Sequence, residues 1–153
     1  MILLDTNVLS EFMRARPVAS VVSWLDEQPT GEVYTSAVSR AEIELGLLLM
    51  TPGRRQEALS RAAWAMFDED FAGRCLPFDE EAARQYARIV SARTRAGRPI
   101  SVEDAQIAAI ALAHRMPLAT RNTTDFDLID GLAVVNPWTD GAGPPVHLEA
   151  ADS

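Results

Sequence analysis

Apolar residues in this chain come in two rhythms. Short runs, in MILLD (1–5), EVYTSAV (32–38), RCLPFD (74–79), MPLAT (116–120) and LAVVNP (132–137), have the length and composition of strands. Pro77 suits RCLPFD to a sheet edge. Between the runs, apolar residues recur every three or four positions. That spacing predicts helices over VASVVSWLDEQ (18–28), SRAEIELGLLLM (39–50), RRQEALSRAAWAMFDEDF (54–71), EEAARQYARIVSARTRAG (80–97) and SVEDAQIAAIALAHR (101–115). Acids open the 80–97 helix and Gly97 follows its end, as the helix dipole and C-cap rules prefer. The residues after MILLD are expected to form a short polar turn, and RNTTDFDLIDG (121–131) a loop. Strands alternating with helices imply an α/β/α sandwich, a mostly parallel sheet covered by helices on both faces.

No repeat or linker interrupts residues 1–138, and 153 residues suffice for one cored domain. GAGPPVHLEAADS (141–153) carries no period and is expected to be a flexible tail. With 48% apolar and 24% charged residues, the chain is not read as disordered. A single cysteine, Cys75, cannot pair internally, and no leader-like segment is seen, so a cytoplasmic location is expected. LGLLLM and IAAIALA fall well short of the roughly 18 residues a membrane span needs. A net charge of −8 weighs against nucleic acid, but every basic residue is arginine, whose planar fork suits phosphate. Arg14 and Arg16 form one cluster; Arg93, Arg95 and Arg98 form another.

Candidate chemistry begins at Asp5. In open α/β sheets, ligands bind beyond the carboxyl ends of strands, and Asp5 ends the first strand. SRAE (39–42) and SVED (101–104) match the Ser-x-x-acid capping box, which accounts for Glu42 and Asp104 as helix-start acids. The same positions also allow convergence with Asp5, which would need a cation to offset the repulsion. Hard oxygen donors favour Mg²⁺ or Mn²⁺. Asn122 or Asp125, just beyond MPLAT, is a fourth candidate, whereas Asp127 and Asp130 read as turn acids.

Taken in order, LLDTNVLSE, SRAEIELG, SVEDAQIAAIALAHRMPLATRNTTDF and VVNPW (134–138) resemble a PIN domain, and within it the VapC toxins of bacterial type II toxin–antitoxin pairs, FitB-like branch. The resemblance covers about 140 residues. It implies a metal-dependent ribonuclease using Mg²⁺ or Mn²⁺, a cognate antitoxin, an RNA substrate and a homodimer. The family's acids map onto Asp5, Glu42 and Asp104; at the fourth position, where many relatives carry aspartate, this chain has Asn122, with Asp125 as a substitute. Thr6 and Asn7 are expected to support the ligands, and Arg93, Arg95 and Arg98 to hold the RNA backbone.

Aspartyl-phosphate chemistry fits poorly: the chain has no lysine, and Asn7 stands where a haloacid-dehalogenase-like site wants aspartate. There is no P-loop, and His114 and His147 lack a nucleophile signature nearby. The alternative that remains is a PIN-like module that binds RNA or an antitoxin without cleavage. Residues 43–50 are apolar almost all round and suit either a central core helix or a face against a partner. Trp24 and Trp64 are expected to pack inside.

Overall fold

A computed structural model describes residues 1–29 and 31–140. The tail expected at 141–153, including His147, lies outside the described residues. Five strands, β1 (Ile2–Leu4), β2 (Val33–Ser36), β3 (Cys75–Leu76), β4 (Leu118–Ala119) and β5 (Val134–Val135), lie in the order β3-β2-β1-β4-β5. Every pairing is parallel, with Leu3 opposite both Tyr34 and Leu118. The chain builds outward through β2 to β3, then returns to place β4 beside β1. The gap beyond the ends of β1 and β4 is therefore the switch point at which such sheets take ligands.

Six helices cover the sheet: α1 (Thr6–Phe12), α2 (Ala19–Asp26), α3 (Ala37–Leu49), α4 (Arg54–Ala65), α5 (Glu80–Arg95) and α6 (Val102–Ala113). The pleat sends Ile2 and Leu4 to one face, with Val8, Leu9, Val21, Trp24, Ile43 and Phe67. Leu3 faces the other side, with Ile89, Ile107, Ile110 and Leu118. The two-sided sandwich that the strand–helix alternation implies is what the chain forms. α6 is buried along most of its length, which the alanines of AQIAAIALA allow by permitting close approach.

Several local expectations change. Residues 6–12 are a helix rather than a polar turn, because Asp5 caps its start and Val8 and Leu9 anchor it in the core. The 54–71 helix divides at Met66 into α4 and a π-helical turn, Met66–Asp70, with Met66 and Phe67 buried. α3 begins three residues early: Ser36, not Ser39, is its N-cap, its hydroxyl accepting the Ser39 N–H at 3.1 Å. Glu42 is consequently not the acid of a capping box. Trp24 packs inside, but Trp64 is 58% exposed and shares a groove with Leu48 of α3, where Leu45, Leu48 and Leu49 are also exposed. Ile43 and Leu47 of α3 meet the core on one face of the sheet, and Val38 meets the core on the other. α5 ends as expected on Gly97 (φ +70°), with the Arg98 N–H reaching Arg93 O and the Gly97 N–H reaching Thr94 O.

Candidate functional site

Asp5 leaves β1 with its own N–H bonded to Ala119 O, so both central strands position it. It is only 4% exposed. Its Oδ1 accepts the Thr6 N–H at 2.8 Å, and its Oδ2 accepts the Thr120 hydroxyl at 2.7 Å and Asn7 Nδ2 at 3.3 Å. Thr120, fully buried after β4, also accepts Asn7 Nδ2 at 3.2 Å and the Asn122 N–H at 3.1 Å. Asn7 Oδ1 accepts the Arg121 N–H at 3.2 Å. Asn7 thus ties α1 to the segment leaving β4.

The second acid arrives on the first turns of α3. Thr6 Oγ1 lies 2.8 Å from Glu42 Oε1 and 2.9 Å from Ser39 Oγ. Its one proton belongs on the carboxylate, so Ser39 donates to Thr6. Asp104 arrives on the first turn of α6, where Ser101 caps the helix by accepting the Asp104 N–H at 3.2 Å. Here the serine cap read from SVED does form. Asp5, Glu42 and Asp104, with Thr6 and Asn7, line one cleft of about 490 Å³. Ser10, Glu11, Arg14, Arg121, Asn122 and Trp138 complete its walls.

The electrostatics show the crowding. Burial, chiefly, holds the Asp5 carboxyl above the ordinary aspartate value; hydrogen bonds from Thr120 and Thr6 pull it down, and the charges of Glu42 and Asp125 push it up. Glu42 is raised by partial burial and by Asp104 and Glu103, against the Thr6 bond. Asp104 is raised by partial burial and then by Asp5, with smaller contributions from Asp125 and Glu103. Among the described residues no arginine pairs with the trio: Arg14 is engaged by Glu11, and Arg121 lies over the Trp138 ring at 5.1 Å.

For the fourth position, the structure divides the two candidates. Asn122 lines the cleft, whereas Asp125 sits on a 3₁₀ turn (Thr123–Phe126) and reaches the acids through its charge. The donor set is all hard oxygen. Among the described residues, no three His, Cys, Asp or Glu side chains form a ready cage for an ion. Mg²⁺ is characteristically held by one or two carboxylates with water completing its shell, so the cleft fits a hydrated divalent cation.

The arginines of α5 are placed differently from expectation. Arg93 is 4% exposed, and its guanidinium donates to Arg98 O (2.6 Å), Asp125 O (3.0 Å) and Asp127 O (2.8 Å). These bonds, from Nε and Nη1, lock the chain end of α5 to the loop after β4, and Arg93 does not line the cleft. Arg95 and Arg98 are exposed, Arg98 lying 3.8 Å from Asp127, and neither lines the cleft.

A family model described as PIN domain matches residues 2–132. The chain belongs to the PIN domain family. Among curated relatives, Toxin FitB of Neisseria gonorrhoeae is 44% identical over 140 residues, 92% of this chain and 100% of that one. The VapC ribonuclease Y4jK of Sinorhizobium fredii is 40% identical over 138 residues, covering 90% and 98%. Among solved structures, that of FitAB bound to a DNA fragment matches this PIN domain with a TM-score of 0.82 at 45% identity, covering 90% of this chain and 96% of that one.

Sequence reasoning passed over Thr120 and Glu11, and read Ser39 only as a helix cap. Thr120 and Ser39 act through partners 115 and 33 residues away in the chain, which no local pattern reveals. Glu11 sits one turn beyond Asn7 on α1, so its alignment with the cleft depends on a helix the sequence did not reveal. It is 6% exposed and accepts Arg14 Nη1 at 3.2 and 3.3 Å and the Val18 N–H at 3.0 Å.

Proposed function

We propose that this PIN domain is a metal-dependent endoribonuclease, the toxin of a toxin–antitoxin pair, with Asp5, Glu42 and Asp104 holding Mg²⁺ or Mn²⁺. The observation that carries the reading is the convergence of three carboxylates, each held above its ordinary pKa, on the sheet's switch point. Acids arranged only to cap helices have no reason to share a cleft. Bound there, the cation would supply Lewis acidity, easing proton loss from an attacking water and offsetting charge on the phosphate.

The chain's own residues do the positioning. Thr120 and Asn7 fix Asp5 in one rotamer, and Thr6 orients Glu42. Asp104 faces the cleft from α6, with Asn122 adding a neutral oxygen at the rim. The names of the relatives, a FitB toxin and a VapC ribonuclease, support the assignment to RNA and to a toxin role. The FitAB complex supports an antitoxin as partner. The exposed face of Leu45, Leu48, Leu49 and Trp64 suits that partner or a second copy of the chain. Among the described residues no helix is long and apolar enough to cross a membrane.

Calorimetry with Mn²⁺ on wild type, Asp5→Asn and Asp104→Asn, beside cleavage of a mixed RNA pool, tests this. Metal-dependent cutting that both substitutions abolish in folded protein is the expected result. Metal binding by wild type with no cutting of any RNA would favour the second reading, a binding module, to which Asn122 at the fourth position lends weight. No metal binding at all would sink the nuclease.

A further inference from the structure

The first arginine cluster, Arg14 and Arg16, has a place in the structure that the carboxylate site does not use. The two residues follow α1 and, with Arg55 of α4, line a second cleft of about 650 Å³ floored by the half-buried Met13 and Leu59. Arg14 lines this cleft and the carboxylate cleft alike, so one side chain borders both. Both bonds from Arg14 to the buried Glu11 use Nη1, which leaves Nε and Nη2 for another acceptor. Among the described residues, neither Arg16 nor Arg55 pairs with a carboxylate. α4 starts on Gly53, which gives no side-chain cap, and carries one acid, Glu57, in its first turn.

On a chain of net charge −8, three arginines opening onto one cleft form a local reversal of sign. Resting on the nuclease reading above, we propose that Arg14, Arg16 and Arg55 are the track for the phosphodiester backbone of single-stranded RNA as it leaves the scissile position. Arginine forks meet phosphates bidentately, and an apolar floor accepts base faces without selecting a sequence. Arg14 grips the phosphate nearest the acids, offsetting the repulsion that three carboxylates exert on a polyanion. Arg16 and Arg55 take the next phosphates. The track takes the place of Arg93, which the fold engages, and of Arg95 and Arg98, which do not line the cleft.

The test uses the full chain carrying Asp104→Asn to silence cleavage, and a fluorescent single-stranded RNA of about 20 nucleotides titrated by anisotropy between about 50 and about 200 mM salt. Adding Arg16→Gln and Arg55→Gln should weaken binding at least ~10-fold at low salt. The salt slope should flatten by about 0.7 for each phosphate left without its arginine, about 1.4 for the pair. Arg95→Gln should bind like its parent, and all variants should keep the parent's melting temperature. In the cleavage-competent background, the double variant should raise KM and leave kcat near wild type. Unchanged affinity and slope in the double variant, with RNA bound and cut normally by wild type, would overturn the track and leave the nuclease standing. A wild type that neither binds nor cuts RNA would overturn both. Competition by a polyglutamate peptide as strong as by RNA of equal charge would identify a peptide site and overturn the track.

Discussion

Two regions of the molecule bury a charged side chain to the same degree: Asp5 at the end of β1 and Arg93 near the end of α5 are each 4% exposed. Arg93 is met by three backbone carbonyls, two of them from the loop after β4. Its Nε and Nη1 donors are taken up by the fold, and its work is done there. Asp5 is met by neutral donors and then by more negative charge, from Glu42 and Asp125. Burial of charge alone does not distinguish structure from function. A buried charge surrounded by its own sign, beside an open cleft, marks a place built for something the chain does not itself provide.

Breaking each region should give opposite outcomes. Asp5→Asn should cut RNA cleavage by roughly 10³-fold, equivalent to ~4 kcal/mol of lost transition-state stabilisation, while circular dichroism shows the fold retained. Arg93→Ala should lower stability by about 3 kcal/mol in denaturant titration, because three carbonyls lose their donor, while the folded fraction still binds Mn²⁺. Arg93→Lys should not rescue it, since one ammonium cannot reproduce the fork. A milder probe is Thr120→Val, which removes the hydroxyl that holds Asp5; it should weaken Mn²⁺ binding about 10-fold by calorimetry.

The smallest effect is a gain. Asp5, Glu42 and Asp104 all have folded pKa values above the ordinary 3.8 and 4.5. Over that window the folded chain binds more protons than the unfolded one, so their contribution falls as pH rises through the raised values. It is fully present below the ordinary values. In metal-free protein, Asp104→Asn should therefore raise stability at neutral pH, by about 0.5 kcal/mol given solvent screening of this half-exposed group. It should also flatten the pH dependence of the denaturation midpoint, and saturating Mn²⁺ should reverse the ranking of the two proteins.

The sheet, the major helices and the three acids were all legible in sequence, because strand ends and helix starts carry strong local signals. Asp5 was readable as the residue on which an apolar run ends. α1 was not: Thr6, Asn7 and Ser10 have weak helix propensity, and Val8 and Leu9 supply the helix through tertiary packing. The start of α3 was ambiguous because Ser36 and Ser39 both offer a capping hydroxyl; the fold uses the first for the cap and the second for Thr6. Arg93 misled because a lone sequence cannot tell an inward arginine from an outward one, and its three acceptors are backbone atoms that leave no mark in composition. The outward side of α3 read equally as core or as a partner face for a related reason: hydrophobicity reports that a surface should be covered, and not by which molecule.

The chain of bonds through Thr120 has a direction. Its single proton points at Asp5, and both nitrogen donors that reach its oxygen, from Asn7 and Asn122, point inward at it. Asp5 Oδ1 meanwhile receives the Thr6 N–H. Every hydrogen around this carboxylate is aimed toward it, so a proton added to Asp5 would face another donor at either oxygen. The network therefore records a valence: it was assembled around an anion, and it keeps that anion poised against the burial that would neutralise it.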